Sequence, residues 1–151
     1  MSGVVLLDDH LVRDVVAGER PAALEVVEAE MATTNLWLFR LVGALARQGW
    51  GGALVGEIKG LGTAEVGRFR SELIERLEMV TVVPMERLVW SMADLQERHR
   101  SAGCQLSSAM AEALAAAQAL SATIAVAEVD VGPHLRAAAE ADGVPFRVIP
   151  R

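Results

Sequence analysis

The hydrophobic residues of this chain fall into short unbroken runs that are separated by segments with helical spacing. Val4–Leu7, Met79–Val83, Thr123–Ala127 and Phe146–Ile149 are mainly apolar runs. Continuous rather than alternating apolarity indicates strands that are covered on both faces, as in a parallel sheet. The pattern leaves the segment Glu28–Thr34 open between a further strand and other structure.

Between these runs, apolar residues recur at the three- and four-residue spacing of amphipathic helices. The predicted helices cover His10–Ala17, Ala22–Val27, Leu36–Arg47, Thr63–Glu78, the segment from Pro84 to Ser101, Leu106–Leu120 and His134–Ala141. Gly49–Gly62 is rich in glycine and is predicted to be a loop. Because strands and helices alternate, we predict one α/β domain over residues 1–151, a three-layer α/β/α structure with a mostly parallel sheet of four or five strands.

The helix predicted over Leu36–Arg47 is apolar nearly all round, and Thr33, Thr34 and Asn35 are candidates for its N-cap. A helix with this pattern is typically buried or lies in a subunit interface. We therefore expect the chain to self-associate, most simply as a homodimer.

Composition and charge narrow the class of protein. Hydrophobic residues make up 52% of the chain, which excludes a largely disordered protein. No apolar run reaches the ~18 residues that span a bilayer, and Met1–Leu7 lacks the basic flank of a secretory signal, so we expect a soluble, cytoplasmic protein with no membrane partner. Cys104 is the only cysteine, which excludes an internal disulfide. The net charge of −6 argues against tight nonspecific binding of nucleic acid but not against a local contact with RNA.

Tryptophan and histidine often form ligand-binding sites, but most of those in this chain are predicted to have structural roles. Trp37 and Trp90 lie in apolar stretches and are predicted to pack in the core, which leaves Trp50 as the tryptophan to test for contact with a partner. His10 follows Asp8 closely and is a candidate for lining a pocket, although a surface or capping position is the expected one.

Two acidic clusters follow predicted strands. Asp8 and Asp9 come directly after the first strand, and Glu128 and Asp130 come after Thr123–Ala127. In an open parallel sheet the working site lies at the carboxyl ends of the strands, near the switch in strand order. Clustered carboxylates suit Mg²⁺ or Mn²⁺, and such an ion can activate water for phosphodiester cleavage. The sequence therefore predicts a metal site where the two clusters meet.

Both ends of the chain resemble PIN domains. The opening VVLLDDHLVRDVVAG is similar to their start, where an apolar strand delivers an aspartate and a short helix follows. The ending LSSAMAEALAAAQALSATIAVAEVDVGPHLRAAAEADGVPFRVI is similar to their last third, with a helix, a strand, an acidic turn, another helix and a final strand. The resemblance covers nearly the whole chain in order and spacing, and the glycine-rich middle matches least. It implies a PIN-like fold; PIN domains include the VapC-like toxins, which are metal-dependent ribonucleases usually paired with an antitoxin.

The resemblance also implies four acidic positions, of which this chain keeps two. Asp8 matches the first acid, and Glu128 matches the fourth as a longer substitute with Asp130 nearby. The implied catalytic residues are Asp8 and Glu128, and the implied metal ligands are Asp8, Glu128 and Asp130. Arg40 stands at the second acidic position and Met110 at the third. The residues predicted to line the pocket are Asp9, His10, Arg40 and Met110.

Arg40 brings a permanent positive charge to a place where a metal ligand is expected. It could pair with Asp8 or Glu128 and take the place of the cation. Glu112 lies two residues beyond Met110, about 200° around a helix, so we expect it to point away from the pocket. The expected cofactor is therefore none, or a weakly bound Mg²⁺ or Mn²⁺ ion.

Three functions are compatible with this sequence. In the first, a PIN-like protein with lost or weakened catalysis binds RNA or a protein, such as an antitoxin-like partner. In the second, the chain is an active VapC-like endoribonuclease toxin that depends on Mg²⁺ or Mn²⁺. The third, a small-molecule-binding domain, rests on the glycine-rich loop alone, and Gly52–Gly60 lacks the Gly-Lys-Ser/Thr ending of a phosphate-binding loop.

Overall fold

The computed structural model describes residues 3–25, 29–46 and 63–151. Within these ranges the elements are β1 (Val4–Leu7), α1 (Asp9–Val16), α2 (Ala22–Glu25), β2 (Glu30–Thr34), α3 (Asn35–Ala46), α4 (Thr63–Arg76), β3 (Thr81–Val83), α5 (Val89–Ser101), α6 (Ser108–Leu120), β4 (Thr123–Ala127), α7 (Pro133–Ala141) and β5 (Phe146–Ile149). Short 3₁₀ helices cover Leu77–Met79, Met85–Arg87 and Glu128–Asp130. The loop predicted over Gly49–Gly62, Trp50 within it, and the end of the helix predicted to reach Val27 lie outside the described residues.

Five parallel strands form the sheet in the order β3-β2-β1-β4-β5. In the central strand β1, Val5 pairs with Met31 of β2 on one side and with Thr123 of β4 on the other. The strand order therefore reverses between β1 and β4, and the carboxyl ends of these two strands meet at the switch point. The predicted parallel sheet is confirmed, and Glu28–Thr34 does contain a strand, β2.

Hydrophobic residues on the two faces of the sheet form two separate cores. Leu6 and Ile124 pack with Leu114 of α6 on one face. Leu7 packs with Leu11 of α1 on the other face. Because neighbouring residues of a strand point to opposite faces, a strand between two helical layers needs an unbroken apolar run. None of the helices in the described ranges is long and apolar enough to cross a membrane.

The two described tryptophans have opposite environments. Trp37 is only 4% exposed and packs in the core, as predicted, whereas Trp90 is 83% exposed. The prediction that Trp90 packs in the core is therefore wrong. Leu88, just before α5, packs in the core. Trp90 is two residues further on, about 200° around the helix, and so lies on the opposite side.

The helix α3 is capped and positioned by its first turn. The Thr34 hydroxyl accepts a hydrogen bond from the Trp37 backbone N–H at 3.3 Å, which confirms Thr34 as an N-cap residue. Leu41 is buried against the sheet, whereas Phe39 is 63% and Val42 is 45% exposed. The nearly all-apolar helix is therefore buried on one side and leaves an apolar side in solvent.

Candidate cation site

A pocket of about 170 Å³ opens at the switch point of the sheet. The side chains that the sequence singled out and that line it are Asp8, Asp9, Arg40, Met110 and Asp130. Asp8 and Asp9 follow β1, Asp130 ends the 3₁₀ turn after β4, Arg40 comes from α3 and Met110 from α6. The parallel topology thus brings together residues that lie far apart in the sequence.

Asp8 is buried, and the backbone uses both of its carboxylate oxygens. Oδ1 accepts a hydrogen bond from the Leu11 N–H at 2.9 Å, which caps α1, and Oδ2 accepts one from the Ala127 N–H at 2.9 Å. The second bond ties the end of β1 to the end of β4. Burial raises the pKa of Asp8 to about 6, although the hydrogen bonds from Leu11 and Ala127 oppose this rise. Asp8 therefore anchors the local backbone of the pocket.

We expect the free energy of unfolding to decrease as the pH rises through about 6, the folded-state pKa of Asp8. The ordinary pKa of 3.8 describes the unfolded chain, so the stabilisation is fully present below that pH and is lost as the pH rises through the folded value. A rise of about two pKa units corresponds to roughly 3 kcal/mol. Urea unfolding at pH values from about 4 to 8 measures the decrease.

Asp8→Asn is the matched variant for this pH dependence. It removes the ionisation, so its stability profile should decline less between pH 4 and 8, whatever its stability at any one pH. A profile as steep as that of the parent protein would contradict the assignment to Asp8.

Arg40 places its guanidinium between two carboxylates of the pocket. Nε lies 3.1 Å from Asp9 Oδ2, and Nη2 lies 3.1 Å from Asp130 Oδ2. The sequence led us to expect Asp8 or Glu128 as the partner of Arg40, and the structure corrects this. The oxygens of Asp8 already accept backbone hydrogen bonds, and Glu128 faces elsewhere. The Arg40 side chain is 49% exposed and that of Asp9 1%, so the arginine pairs from the solvent side with a buried anion.

Asp9 and His10 occupy the first turn of α1 and are both buried. Asp9 Oδ1 accepts a hydrogen bond from the His10 backbone N–H at 3.1 Å. Burial raises the pKa of Asp9, and the charge of Arg40 opposes this rise. His10 Nε2 lies 3.6 Å from Asp130 Oδ2. The surface position expected for His10 is wrong because α1 is buried on nearly all sides.

Glu128 lies at the same edge of the sheet as Asp8 but does not line the pocket. Its Oε1 accepts a hydrogen bond from the Arg151 backbone N–H at 3.2 Å. Asp130, at the end of the same turn, faces Arg40 and His10 instead. Of the two acids after β4, the structure brings Asp130 into the site and leaves Glu128 beside it.

Met110 fills space at the third acidic position implied by the resemblance. Its Cε lies 3.7 Å from where a Cβ on Gly132 would be, so the methyl group packs against the start of α7. A thioether is a poor ligand for a hard cation such as Mg²⁺. This side of the pocket is apolar as a result.

Glu112 does not line the pocket, as expected. It instead has a structural role at the start of α3 that the sequence did not predict. The residue is fully buried, and its Oε1 accepts a hydrogen bond from the Leu36 N–H at 3.1 Å. Burial raises the pKa of Glu112, and this hydrogen bond opposes the rise. Glu112 therefore helps Thr34 to cap α3, the helix that carries Arg40. The pattern that could have indicated this buried contact is a single glutamate within an alanine-rich helix.

The ligand set implied by the PIN resemblance does not fit a Mg²⁺ ion in this arrangement. Glu128 does not line the pocket, and a guanidinium contacts Asp130. Mg²⁺ demands near-octahedral oxygen coordination. A different group, Asp9, His10 and Asp130, offers one ligand atom each, all within 4.8 Å of one another, and could hold a metal ion.

Comparison with known proteins identifies the fold. No protein-family model and no curated protein matches the chain. PAE2754 from Pyrobaculum aerophilum is 13% identical with a TM-score of 0.55, and the match covers 97% of this chain and 92% of PAE2754. FitAB, in a structure bound to an IR36 DNA fragment, is 14% identical with a TM-score of 0.59, over 95% of this chain and 94% of the FitAB chain. The fold is PIN-like. At these identities the likeness establishes the fold alone, so the chemistry of this PIN-like domain depends on the pocket itself.

Proposed function

We propose that this PIN-like protein is a nuclease scaffold in which metal-dependent cleavage is lost or strongly weakened, and that it acts by binding a partner in the cytoplasm. The observation that carries the proposal is the guanidinium of Arg40, which bridges Asp9 and Asp130. Arginine keeps its charge at every physiological pH. It supplies the positive charge that a metal ion would supply, and it repels a cation that approaches the same carboxylates.

The remaining pocket residues support binding better than cleavage. Phosphodiester hydrolysis on this kind of scaffold needs a metal ion to activate water and stabilise charge. Glu128 lies outside the pocket, and Met110 offers no hard ligand. The pocket therefore keeps the shape of a nuclease site without its complete ligand set.

The exposed side of α3 favours a protein as the partner. Phe39 and Val42 are 63% and 45% exposed and lie about one helical turn apart on the same side of α3. A contiguous apolar surface is typical of a protein interface, and a net charge of −6 opposes binding of RNA. An antitoxin-like protein is the partner we propose, and a second copy of the chain is the alternative that would produce a homodimer.

One observation favours a second candidate, an active VapC-like endoribonuclease. Asp8, Asp9 and Asp130 still place three carboxylates in one pocket. If Arg40 moves away, these groups could recruit Mn²⁺ or Mg²⁺, which would make the protein a slow, metal-dependent enzyme.

We expect the protein to leave RNA intact in millimolar Mg²⁺ or Mn²⁺, because Arg40 occupies the position that the ion needs. Fluorescently labelled RNA analysed on denaturing gels measures cleavage. We also expect Mg²⁺ to leave the melting temperature nearly unchanged.

Two matched variants decide between the candidate functions. Asp8→Ala removes the acid that the resemblance marks as catalytic, and Asp94→Ala removes an exposed aspartate of α5. Efficient Mn²⁺-dependent cleavage that Asp8→Ala abolishes and Asp94→Ala retains would replace our proposal with the active enzyme.

A further inference from the structure

Asp9, His10 and Asp130 form a cluster of one imidazole and two carboxylates, of which the two carboxylates line the pocket and His10 is buried behind them. Their ligand atoms all lie within 4.8 Å of one another. We propose that this cluster binds a divalent transition metal ion of the zinc class, and that Arg40 is a competing cation that leaves when the ion binds. The inference concerns the same pocket as the proposed function but depends on His10, which that function does not use.

The spacing of the cluster suits a small tetrahedral ion. His10 Nε2 and Asp130 Oδ2 are 3.6 Å apart, longer than a good hydrogen bond. Two ligands of a tetrahedral zinc ion are about 3.4 Å apart when the metal–ligand bonds are about 2.1 Å long. A small shift of the partly exposed Asp130 would bring this pair to the coordination distance. Three protein ligands would leave one coordination position for water.

The imidazole ligand makes the cluster less suited to Mg²⁺ and Ca²⁺, the ions that a site made only of carboxylates would bind. Imidazole nitrogen suits zinc, copper, nickel and iron, whereas Mg²⁺ and Ca²⁺ prefer oxygen ligands. His10 therefore changes the preference of the cluster from a hard ion to a borderline one. Its backbone N–H also holds Asp9 Oδ1 at 3.1 Å, which fixes the orientation of the neighbouring carboxylate.

Asp9 provides an independent indication that the cluster is built for a cation. The residue is 1% exposed. Among the described residues, none donates a hydrogen bond of good geometry to its Oδ2, which meets only the ion-pair contact from Arg40 Nε at 3.1 Å. A buried carboxylate oxygen of this kind requires a positive charge beside it.

Arg40 can leave the cluster when a bound ion takes over its positive charge. Its side chain is 49% exposed, and its second partner, Asp130, is 41% exposed. Its ion pair with Asp130 is exposed and contributes little to stability. Its ion pair with the buried Asp9 is broken only when the ion supplies the same positive charge. The guanidinium contacts Oδ2 of Asp9 and Oδ2 of Asp130, the same oxygens that face the proposed ion. Arginine and metal therefore exclude each other, and the cluster alternates between two cations.

Titration of the full chain with Zn²⁺ by calorimetry tests the proposal, with Co²⁺ as a spectroscopic probe of tetrahedral coordination. We expect one ion per chain and no competition from millimolar Mg²⁺. Asp130→Asn should weaken zinc binding at least about tenfold, because a ligand charge is lost. Arg40→Met should strengthen it about tenfold, because the competing charge is removed.

Matched controls separate this cluster from other zinc ligands. Asp94→Asn and Arg87→Met change exposed residues outside the pocket and should leave the affinity unchanged. Cys104→Ser should also leave it unchanged, although Cys104 Sγ lies 3.8 Å from His134 Nδ1 and both are zinc-ligand types. His10→Gln, checked by circular dichroism for correct folding, should abolish the tetrahedral Co²⁺ spectrum.

Two results would overturn the proposal. One is the absence of zinc binding by the parent chain. The other is zinc binding that Asp130→Asn and Arg40→Met both leave unchanged, because the ion would then lie elsewhere. Neither result bears on the proposed loss of nuclease activity, which Mn²⁺-dependent RNA cleavage tests separately.

Discussion

Replacing Arg40 with glutamate and Met110 with aspartate together is expected to create a Mg²⁺ or Mn²⁺ site in the pocket. Arg40→Glu changes the formal charge of the pocket by two units and Met110→Asp changes it by one unit, both in the negative direction. A unit charge about 4 Å from another contributes about 4 kcal/mol at an intermediate dielectric. We therefore expect the affinity for Mn²⁺ to increase at least about a hundredfold, which needs about 2.7 kcal/mol. Calorimetry and the dependence of the melting temperature on Mg²⁺ concentration measure the gain.

A second double variant controls for charge alone. Arg87→Glu with Met79→Asp changes the net charge equally, but both residues are exposed and lie outside the pocket. It should gain no metal affinity. If the Arg40→Glu, Met110→Asp protein is folded and gains no more than this control, Arg40 is not what keeps the ion out.

Asp142→Ala is expected to lower the free energy of unfolding by about 2 kcal/mol at neutral pH, in the range of hydrogen bonds to a charged group. Asp142 follows α7 and joins three helices. Its oxygens accept hydrogen bonds from Arg98 at 2.7 and 2.8 Å and from Gln118 at 3.1 Å. His99 Nε2 lies 3.1 Å from the same carboxylate, and its side chain is 5% exposed. Without Asp142, this buried imidazole loses its charged partner.

The same carboxylate predicts sensitivity to acid. The hydrogen bond from Arg98 lowers the pKa of Asp142 from 3.8 to about 2. Its stabilisation is therefore fully present above about pH 4 and is lost as the pH falls through about 2. This direction is opposite to that of Asp8, so the two groups together give maximal stability in a mildly acidic range.

Chemical unfolding at pH 7 and at low pH tests this role of Asp142. Asp94→Ala, on the exposed side of α5, is the control and should change the stability by no more than about 0.5 kcal/mol. Equal stability of Asp142→Ala and Asp94→Ala at pH 7 would show that the three-helix contact contributes nothing.

The layered fold was predictable because a strand that is buried on both faces of the sheet has a continuous run of apolar residues. The run Val4–Leu7 supplies both cores from alternate residues, so its continuous apolarity identified a central strand. The edge of the sheet that carries Asp8 and Asp130 followed from the order of strands and helices. Trp90 shows the limit of this reasoning, because apolar neighbours in the sequence do not say which side of a helix is covered.

The contacts within the site were less predictable than its location. The resemblance implies that Arg40 stands at an acidic position, but its partners depend on how the turn Glu128–Asp130 directs each carboxylate. Two residues of that turn could have faced the pocket, and only Asp130 does. The burial of Glu112 and His10 was not predicted for a related reason, because the elements that cover them are distant in the sequence.

The two hydrogen bonds of Asp8 have a consequence for how such sequences are interpreted. This aspartate caps α1 and joins β1 to β4, whatever chemistry the pocket performs. Natural selection for folding alone would preserve it after the loss of a metal ion. An aspartate after the first strand is therefore weak evidence of a working nuclease. Under our proposal, the second and third acidic positions that the resemblance implies, here Arg40 and Met110, are the more informative ones.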